Sequence, residues 1–147
     1  MRSFNYNECI QDITTLSKYL SRDCEHSIGP TSIRDSIQIP ASLLSNTNFE
    51  SHASTLLNFL QAYTLELKEM TVDEIQRKVV VQAIHHATLK AEYGSDSCSI
   101  ETSITLWMSR DGRTIEKVSH FFDSLSATKF YEEQSWVSSR TETDDPG

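Results

Sequence analysis

Residues 77–92 read Arg77-Lys78-Val79-Val80-Val81-Gln82-Ala83-Ile84-His85-His86-Ala87-Thr88-Leu89-Lys90-Ala91-Glu92. Odd positions from Val79 to Ala91 are apolar apart from His85, whereas Lys78, Gln82, His86, Lys90 and Glu92 fill even positions. That period of two predicts a long, half-buried strand, because successive side chains of a strand point to opposite faces. One face is then a core face with a single imidazole set into it.

The neighbouring segments extend this strand into a sheet. Upstream, Tyr63, Leu65 and Leu67 alternate with Thr64, Glu66 and Lys68 as in a second strand, and Thr71-Val72-Asp73-Glu74 reads as the turn between the two. Downstream, Gly94-Ser95-Asp96-Ser97 breaks the pattern. Residues 98–109 follow, with Ile100, Ile104, Leu106 and Met108 on one face. Asp111-Gly112 signals a tight hairpin, and a return strand over about 113–123 carries Ile115, Val118, Phe121 and Phe122. A short helix from Ser124 to about Glu132 closes the sequence pattern, with Leu125 and Phe130 as its apolar residues.

Two helices are expected before the strands. Ile10, Ile13, Leu16 and Leu20 stand at helical spacing over about residues 5–20. Gly29-Pro30 opens a loop that reaches Pro40. Phe49, Ala53, Leu56, Leu57 and Leu60 form a second stripe, with Thr47 as N-cap and Glu50 completing a capping box. Helices set against one face of a curved antiparallel sheet give an α+β domain over residues 1–133, and a space between the two layers suits a small ligand. Residues 134–147 are polar, end Asp-Asp-Pro-Gly, and read as a disordered tail.

The bulk properties exclude several classes. Thirteen Lys and Arg against twenty-one Asp and Glu give a formal charge of −8, which argues against nucleic acid as partner. No apolar run is long enough to span a bilayer, and Met1-Arg2-Ser3-Phe4-Asn5 is not a secretory start, so a soluble, cytoplasmic protein is expected. Cys9, Cys24 and Cys98 are odd in number and widely spaced, which suits free thiols in a reducing compartment. There is no P-loop, no G-x-G-x-x-G, no G-x-S-x-G and no His/Cys cluster at metal-ligand spacing. No metal and no cofactor are therefore expected.

Three stretches resemble SnoaL-like fungal biosynthetic proteins. They are Pro40-Ala41-Ser42-Leu43 followed by Asn48, then Asp73-Glu74 leading into Arg77-Lys78-Val79-Val80-Val81, and the hairpin from Glu101-Thr102 through Arg110-Asp111-Gly112-Arg113-Thr114-Ile115 to Phe121-Phe122-Asp123-Ser124. The resemblance covers roughly residues 38–130, and the hairpin is its most specific part. It implies a nuclear transport factor 2-like fold, a cone of curved sheet and helices, commonly a homodimer through the sheet. It also implies a cofactor-independent isomerase or cyclase acting on a polyketide or meroterpenoid intermediate, with a dehydratase, an epoxide hydrolase or a non-catalytic ligand-binding dimer as alternatives. The chain departs from the pattern at Thr102, where similar sequences often have Tyr, and at His120, where they often have Glu. Arg34-Asp35-Ser36 stands where a Cys-x-His element often lies.

Asp123 matches the Asp that acts as general acid/base in SnoaL-like enzymes. A carboxyl facing an apolar cavity would have a raised pKa, but Asp123 also precedes the last helix and could be its N-cap. His85 reads either as a core imidazole bonded to a neighbour or as a pocket base. His120 lies three residues before Asp123, so strict alternation puts the two on opposite faces unless a bulge intervenes. A two-residue turn would set His120 opposite Ser103 and a three-residue loop opposite Thr102. Glu50 serves either the capping box or catalysis. His52, Tyr63, Thr102, Trp107 and Phe121 are candidate substrate contacts, with core or dimer interface as the alternative for the aromatic ones.

Overall fold

The computed structural model describes residues 4–5, 17–32, 45–130 and 132. The expected tail and the Pro40-Ala41-Ser42-Leu43 segment lie outside these, as does Cys9. Six strands form one sheet: β1 (Phe4–Asn5), β2 (Leu20–Gly29), β3 (Leu60–Asp73), β4 (Lys78–Leu89), β5 (Ser97–Met108) and β6 (Ile115–Phe122). Their order across the sheet is β1-β3-β4-β5-β6-β2. Helix α1 (Asn46–Phe59) runs directly into β3, and residues 124–130 form a closing helix after β6. Among the described residues no helix is long and apolar enough to cross a membrane.

The meander β3–β4–β5–β6 follows the alternation read from residues 63–122. All three of its pairings are antiparallel. Side chains of directly paired residues share a face, so the register sorts them into rows. One row on the inner face is Leu67, Ala83, Thr102 and Phe122, and the next is Met70, Val81, Ile104 and His120. Register shifts at Leu67/Glu69 in β3 and at Trp107/Met108 in β5 mark irregularities of the kind that bend a sheet. At one end Leu60, Ala87, Leu89, Ile100, Ala127 and Phe130 form the buried core, with the closing helix laid over the strands.

The helix expected over about residues 5–20 falls mostly on residues 6–16, which lie outside the described ones; of its ends, Asn5 belongs to β1 and Leu20 opens β2. Beyond it, residues 20–29 form a strand where a link to a loop was expected. Cys24 and His26 are buried and Glu25 between them is exposed, which is the period of a strand. This strand pairs in parallel with β6, Ile28 opposite His120, so the sheet is mixed and not purely antiparallel.

Smaller differences have local causes. The N-cap of α1 is Ser45, whose Oγ accepts from the Asn48 N–H at 3.2 Å, so Thr47 and Glu50 do not form the capping box. The apolar stripe of the helix is half-buried at Phe49, Ala53, Leu56 and Leu57, as its spacing predicted. Strand β3 continues through Thr71-Val72 to Asp73, because Val72 pairs with Val79. The turn comes after it, with Asp73 Oδ1 accepting from Gln76 N–H at 2.9 Å. The last hairpin spans residues 109–114 and is wider than Asp111-Gly112 alone suggests. Asp111 Oδ1 accepts from Ser109 Oγ at 2.7 Å, and Gly112 supplies a left-handed φ of 70°.

Candidate functional site

The inner face of the sheet gathers three imidazoles. His85 stands on β4, His120 on β6 and His26 on β2, and the register Ile28–His120, with His26 opposite Val118, brings the last two to adjoining rows. Aromatic rings link them into a ladder. His26 stacks on Phe49 of α1 at 4.6 Å between centroids, Phe49 lies 6.1 Å from His120, and His120 lies 5.9 Å from Phe122. Phe122 is in turn 5.5 Å from His85, which tilts against Tyr63 at 5.8 Å.

Four ring nitrogens of this cluster are buried without a hydrogen-bond partner: His26 Nδ1, His85 Nε2 and both nitrogens of His120. Leaving a buried polar atom unpaired costs about 1–3 kcal/mol, which makes this cluster the candidate site of the fold. The other nitrogens are fixed. Tyr63 Oη sits 2.5 Å from His85 Nδ1. His26 Nε2 sits 2.9 Å from Asn46 Oδ1, and Asn46 Nδ2 donates to the carbonyls of Ser21 at 2.8 Å and Arg22 at 3.3 Å.

Burial controls the charge of the cluster. Desolvation, with a smaller contribution from the neighbouring His86, pushes His85 down from 6.5 to about 4. His120 is pushed down to about 3 by desolvation and then by His85 and His26. Both imidazoles are therefore neutral at pH 7. His52, three residues after Phe49 and half-buried, is also lowered by desolvation. Among the described residues no group of three or more His, Cys, Asp or Glu is arranged to hold a metal ion.

The other candidates fall elsewhere. Asp123 is exposed, and its carboxylate accepts from Leu125 N–H at 3.1 Å and Ser126 Oγ at 2.7 Å, while its carbonyl accepts from Ala127 N–H at 3.0 Å. It is the N-cap of the closing helix. The Ser126 hydrogen bond in particular lowers its pKa, opposite to the shift an apolar cavity would impose. Asp123→Ala is accordingly expected to lower the thermal unfolding midpoint and leave turnover unchanged; a loss of turnover in the folded variant would restore Asp123 to the chemistry.

Glu50 is half-buried and accepts a hydrogen bond from Ser17 Oγ, which ties α1 to the residues just before β2. His120 lies opposite Ile104, not Ser103 or Thr102, because the loop is longer than two or three residues. Thr102 is on the inner face but buried, with its hydroxyl donated to the Phe121 carbonyl at 3.1 Å. Phe121 and Trp107 are on the outer face: Phe121 is 56% exposed, and Trp107 has the Lys78 and Lys117 ammonium groups 5.6 Å and 4.9 Å from its ring centroid. They cannot contact a ligand at the inner cluster. Tyr63 is in place beside His85. Cys24 is buried, its thiol pushed up to about 11 chiefly by burial, which leaves it protonated and inert.

His26 and Asn46 carry half of the cluster's geometry and were not among the residues expected. For His26 a signal exists: Cys24, His26 and Ile28 alternate with Asp23, Glu25 and Ser27, the same period of two that marked β4. Asn46 has none beyond its place in a polar Ser45-Asn46-Thr47-Asn48 helix start.

A curved sheet whose inner face carries polar side chains beside a covering helix is the arrangement of the SnoaL-like, nuclear transport factor 2-like fold, and solved structures of that type match this one. The pinacolase BvnE of Penicillium brevicompactum is 23% identical, with a TM-score of 0.70 over 82% of this chain and 77% of that one. PrhC of Penicillium brasilianum is 14% identical, with a TM-score of 0.74 over 90% of this chain and 83% of that one. A Shewanella denitrificans protein assigned as a SnoaL-like polyketide cyclase is 15% identical, with a TM-score of 0.62 over 88% of this chain and 93% of that one. No protein-family model matches the chain, and no curated protein matches it in sequence.

Proposed function

We propose that the protein is an isomerase or cyclase of fungal secondary metabolism that moves a proton within a polyketide or meroterpenoid intermediate, without a cofactor. The observation that carries this reading is the convergence of four unpartnered, buried imidazole nitrogens on one face of the sheet. The likeness to a pinacolase and to a SnoaL-like polyketide cyclase supports the reaction class.

Each histidine has a role its surroundings favour. In this reading the Tyr63 hydroxyl donates to His85 Nδ1, 2.5 Å away, which places the His85 proton on Nε2. A neutral Nε2–H donor suits a carbonyl oxygen on which negative charge develops. A second imidazole takes a proton from the carbon beside that carbonyl, and the C–H electron pair becomes the enolate. His120, with both nitrogens free, can carry the proton to another carbon. In isomerisation the proton returns there; in cyclisation the enolate carbon attacks an electrophile in the same molecule and the proton goes to the oxygen released. The exposed Phe121 and the Trp107 face are the proposed contact between two copies of the chain, and the setting proposed for them is the cytoplasm.

The test is incubation with carbonyl-bearing polyketide and meroterpenoid intermediates, followed by mass spectrometry. A product of unchanged mass is expected, with His85→Gln reducing turnover about 100-fold. Loss of one water would instead indicate a dehydratase. Full turnover in a folded His85→Gln variant would overturn the role given to His85.

A further inference from the structure

The proton acceptor in this reading can be assigned from Asn46, the side chain bonded to His26. Asn46 has its amide nitrogen committed to the carbonyls of Ser21 and Arg22, which accept and cannot donate. The amide cannot be turned over without losing both bonds, so Oδ1 is the atom that faces His26, 2.9 Å from Nε2. A carbonyl oxygen only accepts, so His26 Nε2 must hold a proton. In the neutral ring that leaves Nδ1 as a bare lone pair, and Nδ1 is the buried nitrogen without a partner.

His26 also differs from the other two imidazoles in what would stabilise it once protonated. His85 already has its second nitrogen against a phenol, and His120 has no polar partner at either nitrogen. An imidazolium at His26 would keep the Nε2–H bond to Asn46 Oδ1, which strengthens as the ring gains charge.

We propose that His26 Nδ1 is the site's proton acceptor, held in its tautomer by Asn46, and that the ligand is an uncharged carbonyl compound that gives a proton to His26 and accepts a hydrogen bond from His85. The polarity of the site is thus fixed in advance: lone pair at His26, donor proton at His85. A carboxylate or phosphate ligand would meet a lone pair where it needs a donor. Met70 pairs with Val81 in the row that ends at His120, and it is 57% exposed, which extends the inner face as an apolar floor for the body of such a ligand.

This assignment rests on the reading of the site as an acid–base centre, and two measurements separate their failures. The first needs no substrate. Imidazole nitrogen NMR of the full chain at pH 7 is expected to give His26 a protonated Nε2 and an unprotonated Nδ1, and Asn46→Leu should abolish that preference. A His26 protonated on Nδ1 overturns the assignment whatever the reaction is. The second is exchange of ligand carbon-bound hydrogen for deuterium in D2O. No exchange into any carbonyl ligand by the wild type would sink the acid–base reading itself, and this assignment with it. With exchange present, His26→Gln should reduce it at least about 100-fold. A folded His26→Gln variant that exchanges at the wild-type rate would remove His26 and leave the broader reading standing.

Asn46→Asp supplies the readout of positioning. A carboxylate opposite Nε2 favours the imidazolium, so the acidic limb of the pH–rate profile should move to higher pH with KM little changed. A merely structural Asn46 would leave that limb where it is.

Discussion

Replacing His120 with leucine is expected to make the protein more stable and to stop its reaction. Both ring nitrogens of His120 are buried with no partner, and the ring lies between Phe49 and Phe122. An apolar side chain of similar volume removes two unsatisfied groups from an apolar setting, a gain of about 1–3 kcal/mol. The same change removes the one imidazole that can take a proton at one nitrogen and release it from the other, so turnover should fall by about 100-fold or more. Denaturant unfolding and a turnover assay on the same preparation measure both. A variant that is less stable than wild type would mean that the His120 nitrogens are satisfied in solution. Stability kept in reserve against function in this way is a common trade at active sites.

Acid should begin to destabilise the protein above the pH at which its carboxylates titrate. His85 and His120 bind protons at about 4 and about 3 in the fold, against 6.5 when free of it. Between those values the unfolded chain binds more protons than the folded one, so stability rises with pH there. The contribution is fully present above about 6.5 and is lost as pH falls toward 4 for His85 and toward 3 for His120. Each pH unit below 6.5 removes about 1.4 kcal/mol per histidine, so by pH 4.5 the two together remove about 5 kcal/mol. That is comparable to the whole stability of a small domain, on the order of 5–15 kcal/mol. Far-UV circular dichroism from pH 8 to 4 should give an unfolding midpoint in the lower part of that range, displaced downward in the His85→Leu/His120→Leu double variant. An unchanged midpoint in the double variant would show that these two groups do not govern the acid limb.

The legible part of the fold was its meander. From Tyr63 to Phe122 the strands alternate and pair locally, and the two later breaks carry Gly, Asp and Ser, so period and turn chemistry were enough there; the first turn, Glu74-Ile75-Gln76-Arg77, carries none of these and lies later than the polar Thr71–Glu74 stretch suggests. His85 stood out for the same reason, as an imidazole on an otherwise apolar face. The N-terminal part was not legible, because β2 finds its partner in β6 at the far end of the chain and no local pattern encodes a parallel pairing. Leu20 stands at the end of a helical stripe in the sequence and opens a strand in the fold, a change at that one residue that local period does not foretell. Asp123 carries two readings in the sequence, an acid/base implied by the resemblance and an N-cap implied by its place before the last helix. The observed hydrogen bonds are those of the cap, from the Leu125 N–H and the Ser126 hydroxyl within three residues of it. His26 and Asn46 became visible only when β2 was a strand, since their neighbours in space lie on α1 and β6.

The parallel seam between β2 and β6 also sets an order of events in time. The meander closes by hairpins of short loop length, whereas pairing Ile28 with His120 brings together residues 120 − 28 = 92 positions apart. Loop closure of that span is slow relative to hairpin formation. Regular secondary structure should therefore return early on dilution from denaturant, and the histidine cluster should form late, because His26 arrives with the last strand to pair. Recovery of turnover lagging behind recovery of the far-UV signal would be the kinetic trace of a site stitched together from the two ends of the described chain.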